Sequence, residues 1–387
     1  MVDFSFVVST KEEIEIETEI RFQQEMLSKI KTTVTEGKRR VSIMLHEAET
    51  KGWNFYEDLT WSPENPRLFD VTFRVISNGY ICDEVTSYFG MRKISIENGH
   101  VLLNNRPYIQ KLVLDQGYWP ESLITAPDDD SFVKDIMLIK EMGFNGARIH
   151  QKVEDPRFLY HADRLGLLIW GEIGSAYVYS PEYAKNMYAE WQDCIERDYN
   201  HPCIVAWVPL NESWGVQEIK TDLMQQAHSM ALVYMTKSLD DTRIVIDNDG
   251  WEHTGGDLCT IHDYESNPEI LRNRYADFDN IMKYYPGGRS LYSDGYSYNG
   301  APVLVTEFGG ISFSVNSDDG WGYSSETDSD EYVKHIAGLV DAILDSPFVE
   351  GYCYTQLCDI ETEQNGLLYY DRTPKVDLQL IRTANRE

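Results

Sequence analysis

No Cys-x-x-Cys pair and no zinc-type spacing occurs among the six cysteines, Cys82, Cys194, Cys203, Cys259, Cys353 and Cys358. That excludes a dithiol redox motif and a structural zinc site, and it fits free thiols in a reducing compartment. Long hydrophobic runs are also missing, so no segment reads as a membrane span. Met1 to Thr10 lacks the basic-then-apolar pattern of a signal peptide, and the expected location is cytoplasmic. Basic residues are scarce: 34 Lys and Arg stand against 64 Asp and Glu, for a formal charge of -30. Such a surface repels nucleic acid and anionic lipid, so neither is expected as a partner, and a polyanionic substrate is disfavoured. A G-x-G-x-x-G fingerprint is absent after the first parallel strand, which argues against a dinucleotide fold.

What is present is a 42% hydrophobic chain of 387 residues, enough for two domains or one large barrel with an appendage. Nine Trp and 25 Tyr are available. Many fall in loop-like stretches: Tyr118, Trp119, Tyr177, Tyr179, Trp251, Tyr264, Trp321 and Tyr323. Core packing accounts for some. Flat rings in loops also suit pyranose faces.

Short alternating stretches, Ile14 to Phe22, Val41 to His46 and Val71 to Ser77, are separated by turn-rich breaks and predict a small β-sandwich over residues 1–93. Gln23 to Lys31 could also pass for a helix. After Gly90 the pattern changes to strands separated mostly by helices. Strands are expected at Tyr108–Leu114, Phe144–Ile149, Leu167–Glu172, Cys203–Leu210, Arg243–Asp247, Leu258–His262, Val303–Thr306 and Val349–Tyr354. Helices are expected at Asp130–Met142, Pro156–Leu165, Glu182–Tyr199, Gln217–Leu239, Pro268–Tyr285 and Asp330–Leu344. Eight such strands over about 280 residues predict an α/β architecture, a (β/α)₈ TIM barrel over residues 94–387. A doubly wound open sheet is the rival.

A barrel presents its chemistry at the C-terminal ends of its strands. The fourth apolar run ends in Asn211-Glu212 and the seventh in Glu307. Strands three apart in a ring of eight face each other across the mouth. Glycoside hydrolysis needs two such carboxyls: one keeps a proton for the leaving oxygen, and the other is ionised for attack on the anomeric carbon. Either glutamate alone reads equally as a solvated loop residue or a helix N-terminal charge.

The same residues resemble glycoside hydrolase family 2, the β-galactosidases, β-glucuronidases and β-mannosidases. Trp61-Ser-Pro-Glu-Asn-Pro66 and Tyr88-Phe-Gly-Met-Arg-Lys93 look like the end of that family's immunoglobulin-like domain. Asp115-Gln-Gly-Tyr-Trp-Pro120, Gly143-Phe-Asn-Gly-Ala-Arg148, His201-Pro-Cys-Ile-Val-Ala-Trp207, Asn211-Glu-Ser-Trp214, Thr306-Glu-Phe-Gly-Gly310 and Tyr354-Thr-Gln-Leu357 continue the series. The resemblance implies an immunoglobulin-like β-sandwich ahead of the barrel, with Glu212 as acid/base and Glu307 as nucleophile. It also implies that Asn211 binds the sugar and that Tyr264 hydrogen-bonds the nucleophile. Arg148 and His150 would be polar support, and Tyr354 an aromatic platform. Asp115, Gln116, His262 and Trp321 are further pocket candidates.

This chain departs from the family pattern in three respects. It starts in the immunoglobulin-like domain, without the jelly-roll sugar-binding domain that usually precedes it. The stretch Glu363-Gln-Asn-Gly-Leu367 lacks the lysine of the glucuronidase signature. No Glu-x-His follows Glu172, so neither a metal nor a cofactor is expected. The resulting expectation is a retaining exo-β-glycosidase for a neutral sugar, most of all a β-galactoside. The alternatives are a carbohydrate-binding or inactive homologue, or a catalytic subunit whose partner chain carries the jelly roll. A homo-oligomer is compatible with any of these.

Overall fold

The computed structural model describes residues 2–45, 59–313 and 320–386. The chain divides into two compact units, Met1–Arg92 with Asn200–Pro202, and Lys93–Tyr199 with Cys203–Glu387. Among the described residues no helix is long and apolar enough to cross a membrane.

The first unit is all β. Strands β1 (Val2–Val8) and β4 (Gly37–Ile43) form an antiparallel pair. Strands β2 (Ile14–Phe22), β3 (Glu25–Val34), β5 (Phe69–Ser77) and β6 (Tyr80–Phe89) form an antiparallel sheet in the order β3-β2-β5-β6. Side chains of the two sheets meet: Ile20, Phe22, Ile43 and Phe69 share a buried cluster, and Phe4 lies edge-on to Phe73 at 5.4 Å. The stretch Gln23 to Lys31, which could have passed for a helix, is instead a tight turn and the start of β3. Gln23 and Gln24 both take positive φ (49° and 69°), which turns β2 straight back on itself and ends any helical path. His46, the end of one expected strand, lies outside the described residues.

The second unit opens with a three-stranded antiparallel ribbon that sequence periodicity did not anticipate: β7 (Ile94–Glu97), β8 (His100–Leu103) and β9 (Arg106–Pro107). Its strands are too short for alternation to register.

All eight expected parallel strands are present in one sheet. They are β10 (Gln110–Asp115), β11 (Gly146–Ile149), β12 (Leu168–Glu172), β13 (Ile204–Val208), β14 (Ile244–Val245), β15 (Cys259–Asp263), β16 (Val303–Gly309) and, after the short pair β17 (Ile311–Phe313) and β18 (Ser324–Glu326), β19 (Val349–Thr355). The order is β14-β13-β12-β11-β10-β19-β16-β15. The two ends of this order approach each other beyond β14: His262 N donates to Gly250 O over 3.4 Å, and Gly250 N donates to Thr260 Oγ1 over 3.1 Å. Strands β11, β13, β15 and β16 are buried at every residue, which is why they read as unbroken apolar runs in the sequence.

Helices α1 (Asp129–Glu141), α2 (Pro156–Leu165), α3 (Pro181–Asp198), α4 (Leu223–Leu239), α5 (Pro268–Tyr275), α6 (Phe278–Lys283), α7 (Ser329–Leu344) and α8 (Leu378–Ala384) lie in the connections and at the end. Each begins at an Asp, Ser or Asn whose side chain accepts a backbone N–H of the first turn. Six of these caps are aspartates (128, 155, 222, 277, 328 and 377), so part of the acidic excess is structural. The caps also correct two helix expectations. Asp222 accepts from Met224 N and Gln225 N, so α4 starts there and residues 217–221 form turns. Asp277 caps a second helix inside the expected Pro268–Tyr285 segment and splits it in two.

Candidate active site

Strand β13 runs out at Val208, and the chain then places Asn211 and Glu212 at the mouth of the sheet. Glu212 and Ser213 both hold positive φ (51° and 58°), a conformation that costs non-glycine residues on the order of 1–3 kcal/mol. The turn is held by the segment after β14. Glu212 N donates to Asp249 O over 3.0 Å, Asp249 N to Leu210 O over 2.9 Å, and Ser213 N to Asn248 Oδ1 over 2.9 Å.

Glu307 lies inside β16, whose pairing with β15 is irregular between Ile261 and His262, leaving His262 opposite Glu307. A second irregularity falls between Val305 and Phe308 on the β19 side. Bulges of this kind re-aim a side chain beside functional sites. They turn Glu307 into the mouth, where a carboxylate oxygen of Glu212, a ring nitrogen of His262 and a carboxylate oxygen of Glu307 all lie within 4.8 Å of one another. The two carboxylates are unequal: the Glu212 side chain is 26% exposed and that of Glu307 only 5%.

Three donors surround Glu307. Arg148 Nη1 reaches Oε1 at 2.9 Å, the Tyr264 hydroxyl reaches Oε2 at 2.6 Å, and His262 Nδ1 stands 3.5 Å from Oε2. Burial pushes the Glu307 carboxyl up; His262, Arg148 and the Tyr264 hydrogen bond pull against that, while the neighbouring Glu212 adds to it. The net direction is upward.

Arg148 is the penultimate residue of β11 and is fully buried. Its guanidinium is shared among Glu172, Asp249 (2.5 Å) and Glu307, and it also donates to Thr306 O at 3.1 Å and Asn211 Oδ1 at 2.5 Å. A planar five-donor fork suits this role as a lysine would not. With Oδ1 turned to Arg148, the Asn211 amide nitrogen is buried without a partner. It is a donor left over for something entering the mouth.

His262 places Nδ1 2.7 Å from Glu212 Oε1 and Nε2 3.0 Å from Asp249 Oδ2. Burial alone would lower its pKa; Glu307, Asp249 and Glu212 reverse that and raise it to about 10. His150 is displaced the other way, well below the ordinary histidine value, by burial and by the cations Arg148 and His262. Its neutral Nδ1 lies 3.3 Å from Arg148 Nη2 and 3.8 Å from Glu307 Oε1.

The remaining candidates lie further out. The Tyr264 ring stacks on Tyr323, centroids 3.4 Å apart, and Trp321 meets Tyr323 edge-on at 5.6 Å. Gln116 donates to Gln356 Oε1 at 2.9 Å and approaches Glu363 at 3.5 Å. Asp115 is buried and accepts from Gly117 N at 2.8 Å, a turn contact. Tyr354 is 1% exposed, packed edge-on to Phe308. Gly309 lies directly against its ring, since a β-carbon there would fall 2.4 Å from it. Tyr354 therefore presents no open ring face.

Sequence reasoning passed over Asp249 and Glu172 as site residues, and named Tyr323 only among the loop aromatics. Asp249 was accessible to the rule that found Glu212, because it follows an apolar strand run in Ile246-Asp247-Asn248-Asp249. Glu172 also ends a strand, β12. Tyr323 carried no periodic signal.

Such a mouth, with one enclosed and one half-open carboxylate and a leftover amide donor, can divide attack and proton transfer between two acids. Comparisons with known proteins identify the family. The family model for glycosyl hydrolases family 2, TIM barrel domain, matches residues 94–310, and that for glycosyl hydrolases family 2 matches residues 2–92. A β-galactosidase of Thermoanaerobacter pseudethanolicus is 30% identical over 176 residues, 44% of this chain and 24% of that protein. The β-galactosidase BgaC of Bifidobacterium adolescentis is 23% identical over 355 residues, 83% of this chain and 31% of that one. The chain thus spans about a quarter to a third of the length of these curated relatives. A family 2 β-galacturonidase from Eisenbergiella tayi superposes with TM-score 0.75 at 19% identity, covering 99% of this chain and 68% of its own. A β-glucuronidase of Bacteroides uniformis gives 0.76 at 20%, covering 99% and 48%. At those identities the structures speak to the fold alone.

Proposed function

Because the chain belongs to the glycosyl hydrolases of family 2, we propose that it is a retaining exo-β-glycosidase acting on terminal neutral sugars, β-galactosides above all. In this reading Glu307 attacks the anomeric carbon while Glu212 protonates the departing oxygen. Water, deprotonated by Glu212, then releases the sugar from Glu307. The observation that carries it is the approach of the two carboxylates to within 4.8 Å, with the enclosed one held by Arg148 and Tyr264. Retaining enzymes place their carboxyls about 5–5.5 Å apart, whereas inverting ones need room for a water. The unpaired Asn211 amide would donate to a sugar hydroxyl. We read the two N-terminal β-sheets as the family's immunoglobulin-like sandwich.

A neutral sugar is favoured by the charge at the mouth. Arg148 is enclosed by three acids, Lys375 Nζ holds Asp359 at 2.6 Å and Lys152 holds Glu154 at 3.0 Å. Glu363, close to Gln116, adds a further acidic group. The names of the two β-galactosidase relatives point the same way.

The test is hydrolysis of nitrophenyl β-glycosides by the parent and by Glu307→Ala and Glu212→Ala. Loss of nearly all turnover in Glu307→Ala is expected. Activity within a few-fold of the parent would remove Glu307 from the reaction.

A further inference from the structure

Two histidines lie between β14 and the end of β15, and they are used differently. His253 points Nδ1 at Asp247 (2.9 Å) and Nε2 at the Thr260 carbonyl (2.8 Å), the contacts of a histidine that ties a loop together. His262 points both nitrogens at carboxylates of the mouth: Nδ1 at Glu212 Oε1 (2.7 Å) and Nε2 at Asp249 Oδ2 (3.0 Å). Asp249 is anchored in turn by the Thr306 hydroxyl at 2.9 Å and by Arg148.

The imidazole is also fixed in place. Gly250, at φ +103°, lies against it so closely that a β-carbon would stand 2.7 Å from Nδ1. Trp251 meets the ring edge-on, centroids 5.5 Å apart. The charged and titratable groups facing the ring are Glu212 from the turn after β13, Asp249 from the segment after β14, Glu307 from β16, and Arg148 and His150 from the end of β11. A ring so held can carry a proton on Nδ1 beside an ionised Glu212, or present a lone pair to a protonated Glu212. The hydrogen bond is the same in both cases, and the proton sits at one end or the other.

We propose that His262, backed by Asp249, is a positioning residue that shares the acid/base proton with Glu212. The proposal rests on the reading of Glu212 and Glu307 given above. In the first step the shared proton goes through Glu212 to the glycosidic oxygen. The bond from that oxygen to the anomeric carbon breaks as Glu307 forms its own bond to that carbon. In the second step water gives its proton to Glu212, its oxygen bonds to the anomeric carbon, and the Glu307 ester bond breaks. The pair then holds one proton again, as at the start. His262 thus keeps an acid available at a pH where an isolated carboxyl would have lost its proton, in keeping with the upward displacement of its own pKa to about 10.

Leaving-group dependence separates this role from packing. Phenyl and 2,4-dinitrophenyl β-glycosides of whichever sugar the parent hydrolyses would be compared in the full chain, with His262→Gln and His262→Asn. Loss of general-acid help should lower kcat/KM about 100-fold for the phenyl glycoside and less than about five-fold for the dinitrophenyl one, whose departure needs no proton. The alkaline limb of the phenyl kcat/KM profile should move to lower pH by a unit or more. Equal losses on both substrates, or an unmoved alkaline limb, would overturn the proposal. A parent inactive on every aryl glycoside would instead overturn the carboxylate reading itself, and this role with it. A second measurement needs neither turnover nor a His262 variant. The protonation midpoint of the His262 ring, followed by ¹⁵N NMR, should fall in Glu212→Gln, and an unchanged midpoint would sever the link.

Discussion

Tyr264 donates its hydroxyl hydrogen to Glu307 Oε2 over 2.6 Å, from a ring that lies flat on Tyr323. The stacking fixes the direction of the donor, and the buried phenol, held well above its ordinary pKa, stays protonated. The hydrogen bond favours the charged form of Glu307 and so opposes the effect of burial.

Tyr264→Phe keeps the stacked ring and removes the donor. The Glu307 carboxyl should rise further, so the acid limb of kcat/KM should move to higher pH. Loss of one preorganised donor should lower kcat about 10²–10³-fold. A pH–rate series on the variant and the parent measures both effects.

Arg148 is the cation that Glu172, Asp249 and Glu307 share. Arg148→Met should destabilise the protein by about 3–5 kcal/mol, because it leaves buried carboxylates without a partner. Arg148→Lys should recover part of the stability but little activity, since an ammonium cannot reach three carboxylates and Asn211 at once. Urea unfolding alongside turnover separates the two effects.

The N-terminal unit offers a test of linkage. Glu19, on β2, is lowered from 4.5 to about 2, chiefly by its hydrogen bond to Arg21, with Arg74 and Lys29 helping against burial. A carboxyl with a depressed folded pKa contributes stability that is present above its unfolded value and lost as pH falls through the folded one. The stability difference between the parent and Glu19→Gln should therefore be full above about pH 5 and shrink toward pH 2. Chemical unfolding of that unit at a series of pH values reads it directly.

Substrate choice follows from charge. Like-charge juxtaposition costs several kcal/mol, so kcat/KM on a nitrophenyl β-galactoside should exceed that on the β-glucuronide by about 100-fold or more. Comparable rates on the two would contradict the neutral-sugar reading.

The barrel was legible because its strands are buried on both faces, so Cys203–Leu210 and Val303–Thr306 appear as plain apolar runs with a polar residue after each. Glu212 and Glu307 came from that rule, and family likeness added Tyr264 and Arg148. What stayed hidden depended on local geometry rather than pattern. The Gln23-Gln24 turn overrode a helix-compatible stretch, and Asp222 and Asp277 set helix starts that periodicity ran through. Asp249 and His262 acquire their arrangement from a bulge at Ile261/His262 and from a glycine at 250, neither of which spacing reveals. The face of Tyr354 was lost to packing against Phe308, which depends on how β16 and β19 meet.

The central claim is that Glu307 forms a bond to the sugar. A 2-deoxy-2-fluoro β-galactoside bearing a dinitrophenyl leaving group should form a slowly hydrolysed ester with the enzyme. Proteolysis and mass spectrometry should then place the sugar on the peptide containing Thr306-Glu-Phe-Gly-Gly310, at Glu307. A label on another carboxylate, or turnover of unfluorinated substrates with inverted configuration and no adduct, would contradict the account.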